Sequence, residues 1–146
     1  MVPRSSQANV VVDASVAVKW VVSEEHSDIA QTLLEGDVAL SAPAHWLAEA
    51  ATGLWGACRR GELSAQQAQE RVALLVGAPV AAVPLHHLAT AAVDLALRLN
   101  LTIYDTLYLA LAEDQRARLI TADRRLFEAA RRDRHLRSRV HWIGDE

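Results

Sequence analysis

Four of the chain's eighteen acidic residues stand in stretches where acids are energetically disfavoured. Asp13 ends the run Val10-Val11-Val12, and Glu49 lies inside His45-Trp46-Leu47-Ala48-Glu49-Ala50-Ala51-Thr52-Gly53-Leu54-Trp55. Asp105 sits between Leu101-Thr102-Ile103-Tyr104 and Thr106-Leu107-Tyr108-Leu109-Ala110-Leu111, and Asp123 follows Leu119-Ile120-Thr121-Ala122. An ionised carboxylate in apolar surroundings must be paired, hydrogen-bonded or bound to a metal. Four of them brought close together would not all ionise without a counter-charge. A divalent cation supplies one, and an all-oxygen set without Cys or clustered His suits Mg²⁺ or Mn²⁺ better than zinc. Such an ion leaves positions for a phosphate oxygen and a nucleophilic water, the arrangement that hydrolyses a phosphodiester. Ser15 and Thr121, each two residues from an Asp, could hydrogen-bond a carboxylate or a water on the ion.

Each acid also has a purely local explanation. Asp13, Asp105 and Asp123 all precede helical patterns and could each cap a helix and complement its dipole, as Ser15 and Thr121 could cap locally. Glu49 falls mid-helix in the pattern and could instead pair with an Arg. Asp94 marks the contrast: Thr90 and Arg98 lie four residues to either side, which makes a polar stripe with an i,i+4 ion pair.

The elements that must position these acids follow from periodicity. Three consecutive Val read as a strand buried on both faces, Asn9 to Asp13, which delivers Asp13 at its carboxyl end. Helical patterns run from Ser15 to Val22 and from Glu24 to Leu34, the second ended by Gly36, and a strand from Val38 to Ser41 stops before Pro43. Helices are then expected over His45 to Arg60, closed by Gly61, and over Ser64 to Val76, with Ser64 as cap. Val80 to Val83 is a strand, His86 to Leu99 a helix closed by Asn100, and Leu101 to Ile103 a short extended link. A helix from Asp105 to Gln115, a strand from Leu119 to Thr121, a helix from Asp123 to Arg132 and an edge strand from Val140 to Ile143 complete the chain. Strands alternating with helices predict an α/β fold: three layers, α/β/α, with a mostly parallel central sheet. In such sheets chemistry collects outside the carboxyl ends of the strands. With the first and fourth strands as central parallel neighbours, Asp13 and Asp123 would emerge side by side there.

At 146 residues the chain fits one domain, residues 9–146, with residues 1–8 a polar tail or expression remnant outside the fold. No run approaches the length of a membrane span, and nothing near the start reads as a secretory leader, so a cytoplasmic protein that does not meet a membrane is expected. The single Cys58 excludes an internal disulfide and reads as a small core or groove residue. The formal charge of −3 conceals a basic segment: from Arg116 to Arg139, nine Arg face only Asp123, Glu128 and Asp133. That segment could track a phosphate backbone or form a solvated helix face, with Arg124 and Arg125, beside Asp123, the candidates for phosphate contact. His45, one turn before Glu49, could face the same groove. Trp20, Trp46 and Trp55 could line an apolar groove for a partner helix or pack in the core.

Taken together, the stretch Val11 to Trp20, the Glu49 helix after Ala42-Pro43, Tyr104 to Ala110, and Leu119 to Leu126 resemble the PIN-domain ribonucleases, specifically the VapC-type toxins of bacterial toxin-antitoxin pairs. The resemblance covers roughly residues 9–143. It implies that Asp13, Glu49, Asp105 and Asp123 are the acidic quartet, with Asp13, Asp105 and Asp123 as ligands of Mg²⁺ or Mn²⁺ and Thr121 in support. It implies endonucleolytic cleavage of structured RNA such as transfer or ribosomal RNA, inhibition by a cognate VapB-type antitoxin whose tail occupies the toxin's groove, and a homodimer. One position departs: many relatives carry Asn three residues after the helix glutamate, where this chain has Thr52.

Other classes fit less well. A phosphatase of the haloacid dehalogenase type wants a second Asp two residues after the first, where this chain has Ser15, and a late lysine, whereas the only lysine is Lys19. A receiver-type signalling domain needs the same late lysine. A non-catalytic module that binds RNA or protein would have no use for four intact acids.

Overall fold

The computed structural model describes residues 8–146. Residues 1–7, most of the expected tail, lie outside the described residues; Ala8, the last residue assigned to that tail, is the first residue of β1.

Five strands form one all-parallel sheet: β1 (Ala8–Val12), β2 (Val38–Pro43), β3 (Val80–Val83), β4 (Arg118–Thr121) and β5 (Val140–Trp142), in the order β3-β2-β1-β4-β5. Val10, Val11 and Val12 are fully covered, as a central strand between two helical layers requires. From β1 the chain winds outward through β2 to β3 and then returns to place β4 on the other flank of β1, with Val11 opposite both Ser41 and Leu119. The reversal between β1 and β4 opens a crevice at the carboxyl ends of those two strands.

Seven helices cover the sheet among the described residues: α1 (Ala14–Val18), α2 (Ser27–Glu35), α3 (Trp46–Arg59), α4 (Ala65–Val76), α5 (Ala89–Leu99), α6 (Ile103–Gln115) and α7 (Arg124–Arg131). The result is the expected three-layer α/β/α architecture, with the sheet wholly rather than mostly parallel. Helix α6 lies across β1, β2 and β4 and is buried continuously from Thr106 to Ala112, so its apolar residues are needed all round. Thr106 donates to the Ala92 carbonyl at 2.7 Å, which fastens α6 to α5. No helix among the described residues is long and apolar enough to cross a membrane.

Several boundaries differ from the sequence pattern, each for a local reason. The first helix stops at Val18 rather than Val22 because the following N–H groups of Lys19, Trp20 and Val21 bond three residues back, in a turn. The second helix starts at Ser27, three residues late: His26 takes a left-handed conformation (φ 66°), and the Ser27 hydroxyl ties to Val22 and Glu24. Helix α5 opens at Ala89 rather than His86. The link before α6 is only Leu101 and Thr102, because the Thr102 hydroxyl accepts the Asp105 N–H at 3.2 Å and starts the helix at Ile103. Other signals hold at the expected places: Ser64 and Gln67 make a reciprocal capping box on α4, Asn100 ends α5 in the left-handed region, and Gly61, at φ 79°, closes the turn after α3.

Candidate active site

The last residue of β1 is followed by Asp13, whose N–H still bonds to the Ile120 carbonyl of β4 at 3.1 Å. Asp13 occupies the capping position of α1, yet its side chain makes no capping bond. Instead Oδ2 accepts the Ser15 hydroxyl at 2.5 Å and the Thr121 hydroxyl at 3.0 Å. The Ser15 oxygen in turn accepts the Ala122 N–H at 3.0 Å, and the Thr121 oxygen accepts the Asp123 N–H at 2.9 Å. Two hydroxyls thus stitch the carboxyl ends of β1 and β4 around one carboxylate. Asp123 does cap its helix, because Oδ1 accepts the Arg125 and Leu126 N–H groups at 3.0 and 3.3 Å.

Of the three aspartates that could cap a helix, only Asp123 does so with its side chain. Asp105 stands inside the first turn of α6, where Thr102 is the cap. Glu49 is not mid-helix as the pattern indicated. Strand β2 runs on to Pro43, so α3 begins at Trp46 and Glu49 falls in its first turn. Its partner is not an Arg: His45 Nε2 stands 2.9 Å from Glu49 Oε1.

Asp13, Ser15, Glu49, Gly53, Asp105 and Asp123 line one cavity of about 200 Å³. Burial, chiefly, pushes the Asp13 carboxyl up to about 6; its two hydroxyl partners oppose the shift, and the charges of Glu49 and Asp123 add to it. The Asp105 carboxyl is also raised, first by burial and then by Asp123, with Glu49 adding and Thr102 and Arg125 opposing. The acids therefore feel one another. No group of three or more His, Cys, Asp or Glu side chains among the described residues is arranged to hold an ion as it stands. The donor set nevertheless fits a hard divalent cation: four carboxylates around one small cavity, all-oxygen, with mutual repulsion that a cation would relieve.

Tyr108, which the sequence pattern did not single out, and His45, which it set one turn before Glu49 facing the groove, complete the surroundings. Tyr108, three residues beyond Asp105, is fully buried, and its phenol is held protonated by burial first and by the charges of Asp13 and Glu49. His45 packs between two α6 rings, 5.7 Å from Tyr104 and 5.1 Å from Tyr108, and its Nε2 also bonds to the Tyr104 carbonyl at 3.1 Å. Both neighbours of Nε2 are acceptors, which assigns its proton to that nitrogen. The i,i+3 and i,i+4 spacings around Asp105 and Glu49 carried a signal for Tyr108 and His45.

The two arginines after Asp123 part company. The Arg124 guanidinium lies 3.8 Å from the centre of the Trp142 ring and 3.8 Å from Glu128. Arg125 bears on Asp105 and lines a polar crevice of about 580 Å³ with Arg98, Asn100 and Arg132. Within the basic segment Arg118 pairs with Glu146 at 2.6 Å, Arg139 with Glu113 at 3.4 Å, and Arg124 and Arg131 both reach Glu128; outside it, Arg98 pairs with Asp133. The three tryptophans do not share a groove. Trp46 is in the core and Trp20 is half-buried, donating to the Ala30 carbonyl at 2.8 Å, while Trp55, 57% exposed, lines a cleft between α3 and α4 with Cys58.

Comparison with known proteins gives a consistent result. The PIN domain family model matches residues 10–132. The chain is 35% identical over 121 residues to Ribonuclease VapC3 of Pyrobaculum aerophilum, covering 81% of this chain and 92% of that one. Its fold is similar to that of Mycobacterium tuberculosis VapC20, described as a Sarcin-Ricin loop cleaving toxin, at a TM-score of 0.62 and 16% identity, covering 82% and 94% of the two chains. It is also similar to Rickettsia felis VapBC2 bound to a DNA fragment from its promoter, at a TM-score of 0.64 and 14% identity, covering 92% and 98%.

Proposed function

Because the chain belongs to the PIN-domain family, among its VapC-type ribonucleases, we propose that it is the toxin of a toxin-antitoxin pair and cuts RNA internally with Mg²⁺ or Mn²⁺ at the Asp13 cavity. The observation that carries this reading is the convergence of Asp13, Glu49, Asp105 and Asp123, from four separate elements, on one cavity. Asp13, Asp105 and Asp123 would hold the ion. When bound, the ion supplies a Lewis acid for the scissile phosphate and lowers the pKa of a nucleophilic water.

The protein groups have distinct tasks in this reaction. Ser15 and Thr121 fix Asp13 Oδ2, so the carboxylate keeps its orientation whether or not it is charged. Glu49, with His45 Nε2 2.9 Å from its Oε1, takes the proton of the attacking water, while the phosphorus–oxygen bond opposite breaks and its oxygen leaves with a proton from solvent. Arg125, facing Asp105, is the better placed of the two adjacent arginines to meet a phosphate. Tyr108, a neutral, buried phenol, packs against His45.

A structured RNA of the transfer or ribosomal class is the substrate; the described role of VapC20 supports the ribosomal choice. A VapB-type antitoxin is the inhibitory partner, a reading supported by the VapBC2 assembly; a homodimer is expected from the family resemblance alone. The test is direct. The purified chain, free of any antitoxin, should cut RNA with Mg²⁺ or Mn²⁺, and Asp13→Asn and Asp105→Asn should each abolish cutting while leaving the circular dichroism spectrum unchanged. Undiminished cleavage by both variants overturns the mechanism.

A further inference from the structure

We propose that the recess between α3 and α6, on the far side of Glu49 from the aspartates, takes one unpaired nucleobase of the RNA strand, stacked on the ring of Tyr104. This subsite rests on the reading of the protein as an RNA-cutting enzyme and adds to it the place where the strand is gripped.

The recess measures about 360 Å³ and is lined by His45, Ala48, Glu49, Thr52 and Tyr104, ample for a single base. Glu49 also lines the aspartate cavity, so the two spaces share one wall. A nucleotide whose phosphate lay among the aspartates would carry its base, or its neighbour's, into this recess. Tyr104 is 62% exposed, a large ring left in solvent beside the four acids; of the other Phe, Tyr and Trp rings only Trp55 is comparably exposed. Its position is nevertheless set. It is the second residue of α6, anchored through Asp105 and Thr102, and its ring rests against His45 at 5.7 Å with a tilt of 47°. His45 is itself held by the Tyr104 carbonyl and by Tyr108.

An exposed aromatic that is already ordered stacks on a base with little loss of side-chain freedom, and stacking suits any base because each has a π-face. A carboxylate-lined cavity repels the RNA backbone wherever no cation intervenes, so a grip through an uncharged base face serves where a grip through phosphate is disfavoured. At the polar rim the Thr52 hydroxyl spends its hydrogen on the Ala48 carbonyl at 2.9 Å, and its oxygen stays available at the edge of the recess.

The test uses the full chain with Asp13→Asn to prevent cutting, and a fluorescein-labelled single-stranded RNA octamer together with a series in which one nucleotide at a time is abasic. One abasic position should weaken binding to the Asp13→Asn protein about tenfold, the scale of one lost stack. Adding Tyr104→Ala should weaken binding of the intact RNA by a similar factor and make all abasic variants equivalent, and Tyr104→Phe or Tyr104→Trp should restore both. Tyr104→Ala keeps the backbone carbonyl that holds His45, so these losses report the ring. Unchanged affinity in Tyr104→Ala, or an abasic effect that persists in it, overturns the subsite. So does a result in which the ring matters only for binding a partner protein, or in which Asp13→Asn binds no RNA. If the unsubstituted chain fails to cut RNA but base-dependent binding through Tyr104 holds, the catalytic reading falls and the subsite stands; if cutting occurs and Tyr104→Ala changes neither KM nor affinity, only the subsite falls.

Discussion

The Thr121 hydroxyl donates to Asp13 Oδ2 across 3.0 Å, and its oxygen accepts the backbone N–H of Asp123 at 2.9 Å. One side chain at the end of β4 therefore orients the acid that follows β1 and the acid that follows its own strand. Thr121→Val keeps the shape and removes both bonds, leaving a buried carboxylate and a buried N–H short of a partner. A loss of about 1–3 kcal/mol in stability is expected by chemical denaturation, together with at least a tenfold loss of kcat. A variant within about 0.5 kcal/mol of the parent would show that the bridge does not hold the strand ends.

Asp13 makes stability fall as pH rises. Its carboxyl titrates near 3.8 in the unfolded chain and is pushed up to about 6 by burial in the fold. Below about 4 both states hold the proton and the group contributes nothing. Between about 4 and 6 the unfolded chain ionises first, which favours unfolding, and above 6 a penalty of about 3 kcal/mol is fully present. Urea unfolding without divalent ions should therefore give a lower free energy at pH 7 than at pH 4.5, with a smaller difference in Asp13→Asn. An identical slope in that variant would exclude Asp13 as its source.

A divalent cation should reverse this penalty, since it favours the ionised form of the whole cluster. Millimolar Mg²⁺ or Mn²⁺ should raise the Tm of the native chain at pH 7, and the shift should shrink in Asp13→Asn and in Asp105→Asn. An equal shift in all three proteins would place the ion elsewhere.

His45 acts chiefly through Glu49, although its ring also lines the base recess, and its variants should show it. His45→Ala should lower kcat about tenfold with little change in KM, while His45→Gln, whose amide N–H can still reach an acceptor, should recover part of the loss. A change confined to KM would argue for direct contact with RNA.

Arg124 and Arg125 should separate cleanly. Arg125→Ala should raise KM and reduce the salt dependence of RNA binding by about one charge. Arg124→Ala, which removes the stack on Trp142, should cost about 0.5–1 kcal/mol in stability and change KM little. Equal effects on KM would show that both guanidinia meet the backbone.

The fold was largely legible in the sequence because its signals are local and agree with one another. Val10 to Val12 can only be a strand covered on both faces, Ser64 with Gln67 writes its own helix start, and Asn100 supplies the left-handed residue that ends α5. The convergence of the four acids was legible because each stood in an apolar setting that a surface carboxylate does not need. What was not legible depends on contacts distant in sequence. The pairing of His45 with the Tyr104 carbonyl spans 59 residues, and nothing near His45 announces that α6 will bring two tyrosine rings to it. Asp105 stood before a helical pattern and looked like its cap, but the Thr102 hydroxyl takes that role, and Glu49, in a helix expected from His45, falls in the first turn of one that starts at Trp46.

The bond between Thr121 and Asp13 joins residues 108 positions apart, and it has a bearing on when the cavity is assembled. Strand β1, with its aspartate, is made early; β4, which must lie against it before the cavity has its far wall, is among the last strands of the chain. A nascent polypeptide still short of Asp123 holds at most three of the four acids, and none of the hydroxyl bridging from Thr121. The four-acid cavity is complete only when the late strand docks beside the first.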